Sequence, residues 1–437
     1  MRSRRDRGAS ALLSRRPLYR ALRIVRVVAP AMLRYRTLEK RDARGRSQPE
    51  AWTRNHERLA TGLARLGEDL GGVMIKFCQV AGARADVLPA PFLRELGRFH
   101  DRVTPRPWSE LAPFVEGELA RPIAAIFSSI DPEPVAAASL AQVHRARLRD
   151  GESVAIKIQY PEAERLYRSD LALVRRIVAL ASRLFPGFPL REAVLDVAHF
   201  IALELDFERE AASTERVRRA LAGDPSVVVP RLHAGLSTRR LLVLEFLDGT
   251  PIHETARLEA EGFDLRSLAD RIADLYRRML FEDGFFHGDP HPGNLLVLRD
   301  GRIGLLDFGL AKELPEGFGE GVARLLGAAS RGDRPAALRA AREIGFRIES
   351  GDPDAFARLL AIVLGARHDL AELRSAALGS AVDGVPPDIA LVFRTLVLLN
   401  GLSERLAPGE RRIPLRILSP LVAPPPAPGL PLENTHG

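Results

Sequence analysis

His287-Gly288-Asp289-Pro290-His291-Pro292-Gly293-Asn294 is followed, thirteen residues after Asn294, by Asp307-Phe308-Gly309. An acid, an amide five positions on and a second acid opening a glycine turn present oxygen donors, the kind a hard cation such as Mg2+ takes. That order of groups is one way to hold magnesium and nucleotide phosphates for phosphoryl transfer. Asp289 would orient or deprotonate the attacking hydroxyl or water, and Asn294 and Asp307 would hold the metal. Upstream, Val154-Ala155-Ile156-Lys157 reads as a strand whose lysine contacts the α- and β-phosphates. Asp-Pro and Pro-Gly dipeptides also mark ordinary turns, but turns account for neither Asn294 nor the Asp-Phe-Gly. A zinc reading of His287 and His291 is weaker. Pro290 and Pro292 spoil a helical i,i+4 presentation, and no third ligand is evident.

Composition singles out Lys157 again. Of 64 Lys+Arg only four are lysines: Lys40, Lys76, Lys157 and Lys312. Where arginine has displaced lysine nearly everywhere, a surviving lysine marks a place that needs a compact point charge rather than a planar fork.

At 437 residues the chain has room for two or three domains, or for one bilobal fold with extensions. The lone cysteine, Cys78, excludes an intrachain disulfide and fits a reducing compartment. No apolar run approaches the roughly 18–20 residues that span a bilayer. The best runs, 359–366 and 389–402, are short or broken by Arg394 and read as buried helices.

Charge is unevenly placed. Residues 1–48 carry 15 Lys/Arg against 3 Asp/Glu, a net of +12, which leaves the remainder of a +8 chain at −4. Between Leu18 and Tyr35, Arg20, Arg23, Arg26 and Arg34 alternate with Leu22, Ile24, Val25, Val27, Val28 and Leu33. This is a basic, apolar-rich helix suited to an anionic membrane surface. No clean apolar core and cleavage site of a secretory signal follows. Nucleic acid is not an expected partner, because no aromatic platform or recognised module accompanies the charge.

Five segments emerge: a basic N-terminal arm at 1–50, a helical extension at 51–130, a strand-bearing lobe at 131–250, a helical lobe at 251–419 and a proline-rich tail at 420–437. In the extension, Leu59, Leu63, Leu66 and Leu70 are spaced four, three and four apart, a helical stripe. A second helix is expected from about Ser109 to Ser128. The period then changes to that of two strands, Gln142–Leu148 and Ser153–Gln159, joined at Asp150-Gly151, a hairpin signal. A long helical region follows Pro161, interrupted at Pro186-Gly187-Phe188-Pro189. Val227–Pro230 and Leu241–Phe246 read as short strands. From Leu265 onward the chain is helical apart from 285–308, and the tail is expected to be extended. The fold class is therefore α+β, a bilobal protein-kinase-like fold with an N-terminal helical extension and the nucleotide between its lobes.

Lys157 needs an acidic partner. Leu203-Glu204-Leu205-Asp206-Phe207-Glu208-Arg209-Glu210 supplies several acids, although such runs are often solvated faces. Glu245, closing an apolar strand, stands where a hinge would present backbone groups to adenine. Two absences inform the acceptor. Gly288 replaces the arginine that orthodox protein kinases carry before the catalytic acid, and no Ala-Pro-Glu follows Asp307. A peptide-docking platform, and with it protein phosphorylation, is not expected. The glycine-rich phosphate loop is also missing. Pro134-Val135-Ala136-Ala137-Ala138-Ser139 stands in its place and should be stiffer, since alanine does not share glycine's freedom at positive φ.

Together these features resemble the UbiB/AarF family of atypical kinase-like proteins over roughly residues 55 to 410. The resemblance rests on Ala136-Ala137-Ala138-Ser139 running into Gln142-Val143-His144, on Glu204-Leu205-Asp206, similar to the family's Glu-x-Asp motif, and on Lys76-Phe77-Cys78-Gln79, similar to its Lys-x-Gly-Gln signature. It implies ATP and Mg2+ as cofactors and Glu204 as the partner of Lys157, with Glu210 nearby. The helical extension carrying Lys76 and Gln79 would fold over the active site where a protein substrate would lie. It also implies an ATPase or small-molecule/lipid kinase supporting ubiquinone or other isoprenoid-quinone metabolism, with a lipid or quinone precursor as partner. Cys78 departs from the signature glycine. Bacterial relatives often end in membrane-spanning helices, which this sequence lacks, so a cytoplasmic protein peripheral at the inner face of the membrane is expected. Two alternatives stand beside this reading: a nucleotide-sensing scaffold without phosphotransfer, and an aminoglycoside-type small-molecule kinase, which shares the His-Gly-Asp loop but lacks the Lys76–Gln79 signature and the alanine-rich loop.

Overall fold

The computed structural model describes residues 16–46, 48–82, 88–99, 105–184, 190–346, 387–410 and 412–422. The chain divides into two units. One holds residues up to Arg219 together with Val229–Leu247 and Asp307–Leu310; the other holds Ala220–Val228, Asp248–Leu306 and the chain from Ala311 onward. The interruption at 186–189, the apolar run 359–366 and the tail beyond 422 lie outside the described residues.

The first unit begins with α1 (Pro17–Asp42) and α2 (Pro49–Leu70). Each starts with proline in the first turn, where the missing N–H costs no helical bond. The leucine stripe of α2 faces inward as its period predicts, burying Leu66 and Leu70 beside Ala60 and Ala64. On the same helix Gly67 lets Phe99 approach so closely that a Cβ would sit 2.6 Å from its ring.

Within the basic segment, the described helix α1 packs one face against the rest of the first unit. In α1, Arg20 is fully buried and its Nε donates to both oxygens of Asp170 at 2.9 and 3.0 Å, while its Nη1 donates to the Leu70 carbonyl at 2.8 Å. Ile24 packs with Leu66, Leu70 and Met74 beneath it. Charge periodicity places every arginine on a solvent face by default, so a buried pair of this kind stays hidden in the sequence.

Next come α3 (Val73–Gly82), α4 (Ala90–Leu96) and α5 (Trp108–Leu119). The single helix expected over 109–128 is broken. Ala120 turns left-handed at φ +49°, Pro122 opens one short turn, and Phe127–Ile130 leaves as strand β1. Four residues are too few to display a period against an alanine-rich background.

Ala136–Ala137 forms β2, and β3 (Ala141–Leu148) and β4 (Ser153–Gln159) form the expected hairpin, Gly151 taking φ +94° at its turn. After β4 come α6 (Ala163–Leu184), α7 (Leu190–Glu204) and α8 (Phe207–Ala220), and then β5 (Val227–Val228), which belongs to the second unit. The chain returns to build β6 (Leu241–Glu245). The sheet order is β1-β3-β4-β6, with β2 on β3 and all pairings antiparallel. Strict alternation in β4 puts Val154, Ile156 and Ile158 into the core at zero exposure. Lys157 therefore points to the opposite side.

In the second unit, β7 (Gly249–Pro251), α9 (Thr255–Ala260) and α10 (Leu265–Phe281) precede β8 (Phe285–Phe286), β9 (Leu295–Leu298) and β10 (Ile303–Leu305). Its main sheet runs β5-β10-β9-β7. Asp264 caps α10 by accepting from the N–H groups of Arg266 and Ser267, and the helix buries Leu268, Ile272, Leu275, Tyr276 and Met279 on one face. A further strand, β11 (Lys312–Glu313), pairs with β8. Then come α11 (Phe318–Ser330), α12 (Arg334–Glu343), α13 (Pro387–Leu406) and α14 (Arg412–Val422), the last running two residues beyond Pro420, where an extended tail was expected. Among the described residues no helix is long and apolar enough to cross a membrane.

Candidate active site

In the first unit three sequence-predicted residues converge. Lys157, at the centre of β4 and paired across to Val143 and Leu242, sends its ammonium to both Glu210 oxygens at 2.7 and 2.8 Å and to Asp307 Oδ2 at 3.0 Å. The Phe207 ring lies 5.2 Å from its Nζ. Burial alone would lower the Lys157 pKa, but the Asp307 and Glu210 carboxylates overcome it and push it up. Burial pushes the Glu210 carboxyl up to about 7, Lys157 pulling against the shift and Asp307 adding to it.

The partner of Lys157 is thus Glu210 rather than Glu204. Glu204 ends α7, the chain breaks at Leu205-Asp206, and Glu210 sits one turn into α8. The two acids belong to different helices, and Glu204 forms an ion pair with Lys76 of α3. Burial raises the Glu204 carboxyl while Lys76 opposes the rise. Gln79 lies one turn beyond Lys76 on α3. Asp206 takes a local role, its Oδ1 accepting from the Arg209 N–H at 3.1 Å at the start of α8. Cys78 is fully buried, and burial pushes its thiol up to about 12.

Asp307 stands at φ +55°, a left-handed conformation that few residues other than glycine and Asx adopt. Its Oδ1 accepts from the Gly309 N–H at 3.1 Å, and the Gly309 carbonyl accepts from Arg209 Nη1 at 3.0 Å. Alternate strand positions and a short turn hold the alanine-rich stretch. Ala136 and Ala137 face Val143 and Gln142, Ala138 N–H donates to Ala141 O at 2.8 Å, and Ser139 is buried. Glu245 closes β6, its Oε2 accepting from the Arg231 N–H at 3.2 Å. The chain leaves the first unit two residues later, after Leu247.

In the second unit the His-Gly-Asp loop is anchored from three sides. His287 is buried between Tyr276 Oη, 3.2 Å from Nδ1, and the Leu306 carbonyl, 2.8 Å from Nε2. The carbonyl fixes the proton on Nε2, so Tyr276 donates to Nδ1. Burial and the Asp289 charge push the Tyr276 phenol pKa upward, which keeps it a donor. Asn294 donates from Nδ2 to the Asp289 carbonyl at 3.2 Å and lies 3.4 Å from its Oδ2. The Asn294 carbonyl accepts from Leu306 N–H at 2.8 Å, extending the β9–β10 ladder to the residue before Asp307. His291 is exposed, and its Nδ1 accepts from Gly293 N–H at 3.2 Å. Among the described residues no group of three or more His, Cys, Asp or Glu is arranged to hold a metal.

Sequence reasoning missed Arg394. From α13 its Nη2 donates to Asp289 Oδ1 at 2.9 Å and its Nη1 to the Gly288 carbonyl at 3.3 Å, which also accepts from the buried Thr395 hydroxyl. Its signal was present as the single charge interrupting an apolar run.

A strand lysine tied to a helix carboxylate and to the Asp of Asp-Phe-Gly, on a five-strand antiparallel sheet, defines a kinase-like protein. The family model of the ABC1 atypical kinase-like domain matches residues 98–341, more than half of the sequence. The chain belongs to that family, the UbiB/AarF group of atypical kinase-like proteins. It is 32% identical over 378 residues to AarF domain-containing protein kinase 1 of Gallus gallus, covering 80% of this chain and 72% of that one. It is 34% identical over 267 residues to Protein ACTIVITY OF BC1 COMPLEX KINASE 3, chloroplastic, of Arabidopsis thaliana, covering 60% of this chain; it spans only 37% of that relative's length. Among solved structures, Rv3197 of Mycobacterium tuberculosis, in complex with erythromycin, superposes with a TM-score of 0.55 at 27% identity, covering 83% of this chain and 97% of that one.

Proposed function

We propose that this chain is an ATP- and Mg2+-dependent atypical kinase or ATPase, acting on a small molecule or lipid of ubiquinone or other isoprenoid-quinone metabolism. It would work on the cytoplasmic side, peripheral at the inner face of a membrane. The observation that carries this reading is the Lys157–Glu210–Asp307 cluster, where one ammonium is held in place by two carboxylates. Lys157 would contact the nucleotide phosphates, Glu210 would fix its position, and Asp289 would orient the attacking hydroxyl or water.

Asn294 and Asp307 each carry the oxygen chemistry that magnesium takes. Asn294 spends its amide N–H on Asp289, leaving Oδ1 as an oxygen donor. Asp307 keeps its carboxylate half-exposed at 45%. Both are hard oxygen ligands of the kind Mg2+ combines with water and phosphate. The metal would neutralise charge on the phosphates. Ala136–Ser139 would line the phosphates with a stiff turn, and the backbone beside Glu245 would meet adenine. Lys76 and Gln79 would regulate the site through Glu204. Gly288 and the missing Ala-Pro-Glu support an acceptor that is not a protein.

The test is ATP hydrolysis in the presence of Mg2+ by the wild type and by Asp307→Asn. Turnover lost in the variant supports the reading. Turnover equal in both contradicts it, and no turnover with intact ATP binding would leave a nucleotide-sensing scaffold. The erythromycin complex of the mycobacterial relative favours a second reading, in which the acceptor or ligand is a bulky, largely apolar small molecule rather than a quinone precursor.

A further inference from the structure

Helix α1 carries two apolar faces, and the fold uses one of them. Arg20, Ile24, Ala31 and Leu38 are buried against the rest of the first unit. Roughly half a turn round the helix, at about 100° per residue, Leu18, Leu22, Val25 and Leu33 form a second line. They are exposed at 74, 64, 42 and 66%. Nine large hydrophobic residues are exposed among the described residues, and four of them lie on this one line. Single exposed leucines are ordinary; a line of them on one helix marks an interaction surface.

The charges around the line identify its partner. Arg26 borders it, and Arg36 and Lys40 continue it toward the C-terminal end, all three exposed. None of them makes an ion pair among the described residues. The acids of α1 are Glu39 and Asp42, and Asp42 accepts from Trp52 Nε1 at 2.8 Å. A second copy of the chain would bring two such basic helices together, and nucleic acid would leave the leucines without a partner.

We propose that the outer face of α1 docks on an anionic lipid bilayer. Leu18, Leu22, Val25 and Leu33 enter the headgroup–acyl boundary while Arg26, Arg36 and Lys40 meet lipid phosphates. The Arg20–Asp170 pair fixes the opposite face, so the helix arrives formed and the ordering cost of a disordered anchor is avoided. This surface rests on the peripheral-membrane part of the proposed function, which it deepens, and does not rest on phosphoryl transfer.

The test is flotation of the full chain with phosphatidylcholine–phosphatidylglycerol vesicles and with phosphatidylcholine alone. The wild type should partition at least about tenfold more strongly to the anionic vesicles, as expected where three basic side chains face the lipid. L22E/L33E should lose at least about tenfold of that binding with an unchanged circular dichroism spectrum. R26Q/R36Q should lose part of it and flatten its salt dependence. Asp307→Asn should bind like the wild type, separating this surface from the fate of the phosphotransfer reading. Equal binding of the L22E/L33E variant and the wild type, or equal binding to both vesicle types, would overturn the proposal. So would a dimer in vesicle-free solution that the L22E/L33E change abolishes, which would assign the face to a second copy.

Discussion

Lys157 and Glu210 meet through both carboxylate oxygens, 2.7 and 2.8 Å from one ammonium, while Glu204, six residues earlier, is committed to Lys76. The two acids are separable by mutation. Glu210→Gln removes the group that fixes Lys157 and should weaken ATP binding about tenfold, the effect of roughly 1.4 kcal/mol. Asp307 still holds the lysine, which keeps the loss below that of an orphaned buried charge. Glu204→Gln should leave ATP affinity within about threefold, since it releases Lys76 instead. Calorimetric titration with ATP checks both; equal losses would mean that the acids act as one group.

Arg394 sets the carboxylate of Asp289 from one side and its preceding carbonyl from beneath. Arg394→Ala should lower turnover about tenfold to a hundredfold with little change in ATP affinity, the pattern of a misplaced catalytic group. Arg394→Lys supplies charge without the fork and should recover only part of the rate. Steady-state kinetics would show this as a change in kcat at nearly constant KM for ATP.

The elements of the candidate site were legible in the sequence because each carries local chemistry. Asp150-Gly151 dictated the hairpin, β4 alternated around Lys157, and Asp289, Asn294 and Asp307 stood at telling intervals. What failed depended on partners far away in the chain. Nothing in Glu204–Glu210 reveals that a helix ends at 204 and another begins at 207, and that break decides which acid meets Lys157. Arg20 and Arg394 look like solvent charges until Asp170 and Asp289, 150 and 105 residues distant, are placed beside them. β1 and β7 are too short to show a period.

Arg20 and Asp170 form a buried pair whose members are almost fully shielded. Removing one partner leaves the other charged and buried, so Asp170→Asn should destabilise the chain by about 3–5 kcal/mol. Chemical denaturation should show it as a lower midpoint. A change under about 1 kcal/mol, the range of exposed pairs, would mean that α1 is not held by this contact.

Cys78 gives a pH dependence of definite sign. Its thiol is pushed from 9.0 up to about 12 in the folded chain. Between these values the unfolded chain releases the proton and the folded chain keeps it, so folded stability falls as pH rises above 9. The slope from this group approaches about 1.4 kcal/mol per pH unit. It should vanish in Cys78→Ala, as followed by urea unfolding at a series of alkaline pH values. The native thiol should also resist a disulfide reagent at pH 8 until the protein is unfolded.

The most direct test of the central claim is equilibrium binding of ATP with and without Mg2+, by wild type, Lys157→Ala and Asp307→Asn. The account predicts tight binding only with Mg2+ in the wild type, at least about tenfold weaker binding in each variant, and no magnesium dependence left in Asp307→Asn. Wild-type affinity retained by both variants, or an affinity indifferent to magnesium, would contradict it.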